Sequence, residues 1–251
     1  MGTAATKELA TKEPGKANLD IDDKFLPCSG EFKVSELTTV LAKFKMNFNS
    51  TSEFYKMVEG NDEIELILKG QVLSTMKCIS SMSTKEGKQF CVQKSKTGFK
   101  KDYSFTYVDT PAFEGQEPDS HSKVKKDDPD MYVMYQIVTE HKMMKPPKAT
   151  LFLATGYEEE SDDDKKKKDK KEYKWKPVCK AIALQSGSLC GYLEDMEGNI
   201  VGRCQRHGGM LSNSFKMEVA PGMDIVMALG LACAINPATS SAGALAGAGV
   251  V

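Results

Sequence analysis

Cys204 and His207 stand three residues apart, a spacing at which a thiol and an imidazole could serve as nucleophile and base. No third residue that would orient the imidazole is evident, and the pair straddles the end of a strand-like run, so the spacing reads as accidental. His121 and His141 lie in or beside polar loops and make no ligand spacing with His207. The seven cysteines, at 28, 78, 91, 179, 190, 204 and 233, are odd in number and include neither a C-x-x-C pair nor a metal-like spacing. They read as free thiols in a reducing compartment. With no carboxylate pair, His/Cys cluster or phosphate-cradling loop, the chain reads as non-enzymatic, with no cofactor and no metal.

The lysines carry a different chemistry. Lys94, Lys96, Lys100 and Lys101 cluster around Gly98-Phe99 at the end of a strand-like run, and residues two apart on a strand share a face. Lys142, Lys145 and Lys148 form a second basic turn around Pro146-Pro147. Either cluster could grip a phosphorylated headgroup, although lysine is a point charge without the bidentate fork of arginine. Between Glu158 and Lys176 lie eight acidic residues and eight lysines, and from Lys165 onward the balance is eight lysines against two acids, with Tyr173 and Trp175 interleaved. Such a polybasic stretch contributes about 1 kcal/mol per lysine at an anionic leaflet, and tryptophan favours the interface. The competing reading is a solvated linker whose acidic half folds back on its basic half.

These residues need a scaffold. Hydrophobic residues make up 40% and charged residues 27%, enough to bury a core, and a formal net charge of −1 argues against a general nucleic-acid binder. The first 24 residues are polar and aperiodic, and read as a disordered tail without the apolar stretch of a secretory signal. Near the other end, Ile225 to Ile235 is an unbroken run of apolar residues and glycine after Pro221-Gly222. As a helix it is roughly 17 Å long, too short for a bilayer, and apolar on every face. It reads as a helix over 223–235 that strands enclose. Asp224, the one charge near its start, is placed to pair with the exposed N–H groups of the first turn. Gly230 leaves room for a facing side chain.

The strand signals fit that enclosure. Glu-Gly-polar turns at 59–61, 86–88 and 197–199 separate β-rich arms: Glu53–Val58, Glu63–Leu68, Val72–Met82, Lys88–Lys94, Ser188–Glu194 and Asn199–Gln205. Val40–Phe48, Tyr103–Val108, Met131–Glu140, Ala149–Thr155, Lys174–Leu184 and Phe215–Val219 add further runs. Ten to twelve strands in a meander predict a closed antiparallel β-barrel around the C-terminal helix, spanning 25–236. The segments 111–129, with three prolines, and 158–171 are expected as mobile surface insertions, and 237–251 as an Ala/Gly-rich tail.

Three segments in order resemble the tubby C-terminal-like superfamily: Glu65-Leu66-Ile67-Leu68-Lys69-Gly70 through Gln93, Gly191 through Arg203, and Val219-Ala220-Pro221-Gly222-Met223-Asp224 opening the terminal helix. Over residues 30–236 the chain is most similar to the LURP-one-related branch, beside the tubby proteins and phospholipid scramblases. The resemblance implies a twelve-stranded barrel around a central hydrophobic helix. It also implies binding of phosphoinositide headgroups, as in tubby domains, or calcium-dependent lipid movement, as in scramblases. Gln205 to Ser214, where scramblases carry an acidic calcium segment, holds no carboxylate here, and calcium takes six to eight oxygen ligands.

The expected function is a non-enzymatic, cytoplasmic, peripheral-membrane protein that binds anionic, phosphoinositide-like headgroups through Lys94, Lys96, Lys100, Lys101, Lys142, Lys145, Lys148 and Trp175. The alternative is an interaction subunit that docks a protein partner through its loops and tails, and a weaker one is scramblase-like lipid movement. No nucleic-acid partner and no transmembrane segment are expected.

Overall fold

The computed structural model describes residues 14–15, 33–43, 66–74, 77–84, 89–96, 101–123, 130–140, 147–158, 172–184, 189–207 and 214–235. The chain is mainly β, and the described residues form eleven strands and a C-terminal helix: β1 (Thr38–Lys43), β2 (Leu66–Ser74), β3 (Lys77–Thr84), β4 (Gln89–Lys96), β5 (Lys101–Val108), β6 (Tyr132–Glu140), β7 (Lys148–Tyr157), β8 (Tyr173–Ala183), β9 (Leu189–Asp195), β10 (Ile200–His207), β11 (Ser214–Val219) and α1 (Ile225–Ile235). They form one antiparallel sheet in the order β1-β11-β10-β9-β8-β7-β6-β5-β4-β3-β2. From β2 to β11 each strand pairs with the next in sequence, so the meander read from the turns is present.

The closed twelve-stranded barrel is not. Among the described residues β1 and β2 end the strand order and no pairing joins them. The arm expected at Glu53–Val58 lies outside the described residues, as do the turns at 59–61 and 86–88. A second correction concerns the arm expected to run unbroken over Val72–Met82. β2 stops at Ser74 and β3 begins at Lys77, with those two residues paired. In the sequence Ser74-Thr75-Met76-Lys77 only Ser74 is of a turn-favouring type and no Gly, Asn, Asp or Pro is present, so the local signal for the reversal is weak.

The third Glu-Gly turn is described. Gly198 has φ +89°, the left-handed region that an L side chain adopts only with strain. The buried Asp195 anchors this turn. Its Oδ1 accepts from the Glu197 and Asn199 amides at 2.9 and 2.8 Å, and its Oδ2 from Asn199 Nδ2 at 2.8 Å. Pro177, which lacks an N–H for the ladder, sits in β8 where the register to β7 shifts between Leu151 and Phe152.

The helix is buried along its length: Ile225, Met227, Ala228, Leu229, Leu231, Ala232 and Ile235 all belong to one core with Ile137, Leu151, Leu153, Cys179, Ala181 and Leu193 of the sheet. It packs against β6, β7, β8 and β9. Full burial of such side chains contributes about 1.5–3 kcal/mol each, which offsets the ordering of a helix only three turns long. A Cβ on Gly230 would lie 3.3 Å from Ile137 Cδ1, so this glycine does leave room for a sheet side chain. At the helix entry Gly222 has φ +87°, and Val34 brackets the turn by accepting from the Gly222 amide at 2.8 Å and donating to Met223 O at 3.0 Å. Asp224 caps the first turn, its Oδ1 accepting from the Met227 amide at 3.0 Å. Asp224→Ala is therefore expected to cost about 1–2 kcal/mol in urea unfolding, and an unchanged midpoint would remove the cap from this account. Among the described residues no helix is long and apolar enough to cross a membrane.

Candidate functional site

Cys204, the candidate nucleophile, belongs to the same core as α1 and sits opposite Met217 of β11. Cys91 and Cys179 are likewise free, buried thiols. Burial pushes the Cys179 thiol up to about 12, with its Sγ donating to Glu194 O at 3.1 Å, so it stays protonated at neutral pH. These cysteines act as small apolar core residues. Among the described residues no group of three or more His, Cys, Asp or Glu side chains is disposed to hold a metal ion.

The lysines and Trp175 are brought together by register. On β4, Cys91 faces the helix-side core while Val92 belongs to a second cluster with Tyr107, Met131 and Val133. By the two-residue period Lys94 and the Lys96 position fall on the Val92 side, away from the helix. Lys94 pairs with Phe105 and Lys96 with Tyr103 on β5; Lys101 pairs with Glu140 on β6, and Glu140 with Lys148 on β7. Phe105 in turn meets Trp175 of β8, their ring centroids 6.2 Å apart. Residues from five strands, β4 to β8, thus share one outer face around Phe105, Phe152, Val138 and Trp175, all half-buried, and Tyr103, which is exposed. Lys180, paired with Thr150, adds a lysine to this face that sequence reading did not single out.

Three of these lysines, Lys94, Lys101 and Lys180, hold partners. Lys101 lies 3.2 Å from Glu140, and Lys180 lies 3.9 Å from Glu194. Both pairs are solvated enough to contribute about 0–1 kcal/mol, so they exchange readily for another anion. Lys148 is exposed at the start of β7. Lys94 is half-buried and its Nζ donates to Lys123 O at 2.6 Å. Burial lowers its affinity for a proton, and the nearby Asp119 carboxylate opposes that shift. Lys100, Lys142 and Lys145 lie outside the described residues.

Comparison with protein-family models and with curated proteins finds no match.

Residues 109–123, which overlap the insertion expected at 111–129, lie along one margin of the face. Ala112, Gln116 and Ser122 are buried. Gln116 Oε1 accepts from the Ala112 amide at 2.6 Å, and its Nε2 donates to Val133 O at 2.7 Å. Phe113 packs edge-on against Tyr157 with centroids 5.0 Å apart, and Tyr173 lies 5.3 Å from Tyr157 and 5.6 Å from Trp175. Burial pushes the Tyr173 hydroxyl up to about 12 and raises Tyr107 further, with the Asp119 carboxylate adding to both. These phenols are neutral packing elements. Neither Gln116 nor Asp119 carried a sequence signal, because their roles depend on strands far away in the chain.

Proposed function

We propose that this chain is a non-enzymatic protein of the tubby C-terminal-like superfamily that binds anionic, phosphoinositide-like headgroups at a membrane surface, with the outer face of β4 to β8 as its contact. The observation that carries the reading is the register: Lys94, Lys96, Lys101 and Lys148 fall on one face with Trp175, where lysines surround half-buried aromatic side chains. Such a face suits a leaflet, which offers phosphate to the lysines and an amphipathic interface to tryptophan. The cytoplasmic leaflet carries the anionic lipids that would recruit it, so a cytoplasmic, peripheral location follows.

The superfamily assignment rests on the quoted segments, on the consecutive meander and on the buried terminal helix against it. Closure belongs to the same proposal. β1 and β2 are the strand order's two ends and neighbours in sequence, and the connection between them includes the β-rich arm Glu53–Val58. A twelfth strand there, pairing with both, would close the barrel and remove two exposed edges. The half-buried aromatics also favour a second reading, in which a protein partner rather than a leaflet covers the face; scramblase-like movement is a third and weaker one.

Co-sedimentation with phosphatidylcholine vesicles, with and without a few per cent phosphoinositide, separates the first two. Headgroup-dependent binding that falls as ionic strength is raised toward 0.5 M is expected, because screening shortens the reach of solvated lysines to a few ångströms. Absence of binding at every ionic strength would leave the interaction-subunit reading in front.

A further inference from the structure

The segment 109–123 crosses the margin of the lysine face and is itself acidic, with Asp109, Glu114, Glu117 and Asp119 against one lysine, Lys123. It is fastened at several points. The Glu117 amide donates to the Tyr157 hydroxyl at 2.9 Å, and the Asp119 amide to Met131 O at 2.8 Å. The buried Ser122 accepts from the Met131 amide at 2.7 Å, and Lys123 Nζ reaches Asp130 at 3.5 Å. The last fastening uses the face itself, since Lys94 donates to the Lys123 carbonyl.

We propose that residues 109–123 form an acidic strap that competes with anionic ligands for the lysine face, and that a bound headgroup takes Lys94 only by releasing the 119–123 end of the strap. The inference rests on the headgroup-binding reading and supplies its regulation. A phosphate at Lys94 comes within the field of the Asp119 carboxylate, and like charges oppose each other. It must then draw the ammonium group from a carbonyl that it reaches at 2.6 Å. The fastenings at Gln116 and Tyr157 hold the other end of the strap, so a lift confined to residues 119–123 breaks the bonds to Met131 and Lys94 but spares the ladder of β5, β6 and β7. Behind the effect of burial, the Asp119 carboxylate also raises Tyr107 and Tyr173, so its charge acts on the aromatic cluster as well as on Lys94.

The test uses the full chain with phosphatidylcholine vesicles carrying a few per cent phosphatidylinositol 4,5-bisphosphate. Asp119→Asn is expected to bind about fivefold tighter than the unaltered protein, the effect of one charge near an anionic surface. Glu197→Gln, the same charge change on the β9–β10 turn, is expected to change affinity less than twofold. Hydrogen exchange on the unaltered protein supplies a readout that needs no variant: the Asp119 and Ser122 amides should exchange faster when vesicles are bound, while β6 and β7 amides do not. Equal binding by the unaltered and Asp119→Asn proteins, with both amides still protected on the vesicle, would overturn the strap and leave headgroup binding standing. No binding by either protein would overturn headgroup binding itself, and the strap's regulatory role with it.

Discussion

Gly191→Val is expected to lower the thermal midpoint by roughly 6–12 °C, equivalent to about 3 kcal/mol for a domain of this size. Gly191 lies on β9 beneath the end of α1. A Cβ there would sit 2.6 Å from both Ile182 O and Ile235 Cδ1. The isoleucine terminus has some freedom to turn aside, but the carbonyl belongs to the neighbouring strand and moves only if the sheet does. Valine adds two further methyl groups to that contact. The helix must then lift from its seat or β8 and β9 must part, and either opens a core that packs at crystal-like density. Gly230 makes the comparison sharper. Its added Cβ would meet Ile137 Cδ1 at 3.3 Å, a contact that a few tenths of an ångström relieve, and alanine gains about 1 kcal/mol of helix propensity over glycine. Gly230→Ala is therefore expected to stay within about 1 kcal/mol of the unaltered protein, where Gly191→Val does not. Equal midpoints for all three proteins would mean that α1 does not rest on β9 and β6 as described.

Asp195→Ala is the second large effect, expected at about 2–3 kcal/mol and with a pH signature. The carboxylate organises the β9–β10 turn by accepting from two amides and one side-chain amide, and its removal strands donors at a place where Gly198 already holds a left-handed conformation. Burial by itself would raise this carboxyl's pKa, but the hydrogen bonds from Asn199, Glu197 and Gly198 outweigh it and hold the group below its ordinary value. The unfolded chain therefore binds the proton first as pH falls. The stabilisation is present above the unfolded value near 3.9 and is lost as pH drops through the lower folded value. Urea unfolding between pH 2 and 6 should show the unaltered protein losing stability across that window and Asp195→Ala losing less. Asp195→Asn, which keeps the shape and one acceptor, should recover about half of the difference. Parallel pH profiles for all three would contradict the assignment.

Much of this architecture could be read from local pattern. The runs at 103–108, 131–140 and 149–155 mark β5, β6 and β7 to within two residues at each end, because alternation and β-branched content act over the length of one strand. The unbroken apolar run marks α1, and Asp224 and Gly230 have the capping and spacing roles their positions suggested. The reversal between Ser74 and Lys77 was missed because the segment holds no Gly, Asn, Asp or Pro and Ser74 alone is a weak turn signal. The face itself was half legible. Lys94 and Lys96 share it through a period-two argument within one strand, but their meeting with Lys101, Lys148 and Trp175 depends on cross-strand register, which no single segment encodes. The Lys94–Lys123 contact spans 29 residues and joins a strand to a loop, so nothing near either lysine announces it.

The lysine face is tested most directly by comparing two fourfold variants in phosphoinositide-vesicle binding at low ionic strength. One changes Lys94, Lys96, Lys101 and Lys148 to Gln, and the other changes Lys7, Lys12, Lys16 and Lys24, so that both lose the same charge. At about 1 kcal/mol per lysine, discounted for the partners Lys94 and Lys101 already hold, the face variant should bind about 100-fold more weakly. The variant at Lys7, Lys12, Lys16 and Lys24 should stay within about threefold of the unaltered protein, because its lysine face is unchanged. Equal losses in the two variants would show attraction by net charge alone, and a face variant that binds as well as the unaltered protein would contradict the site.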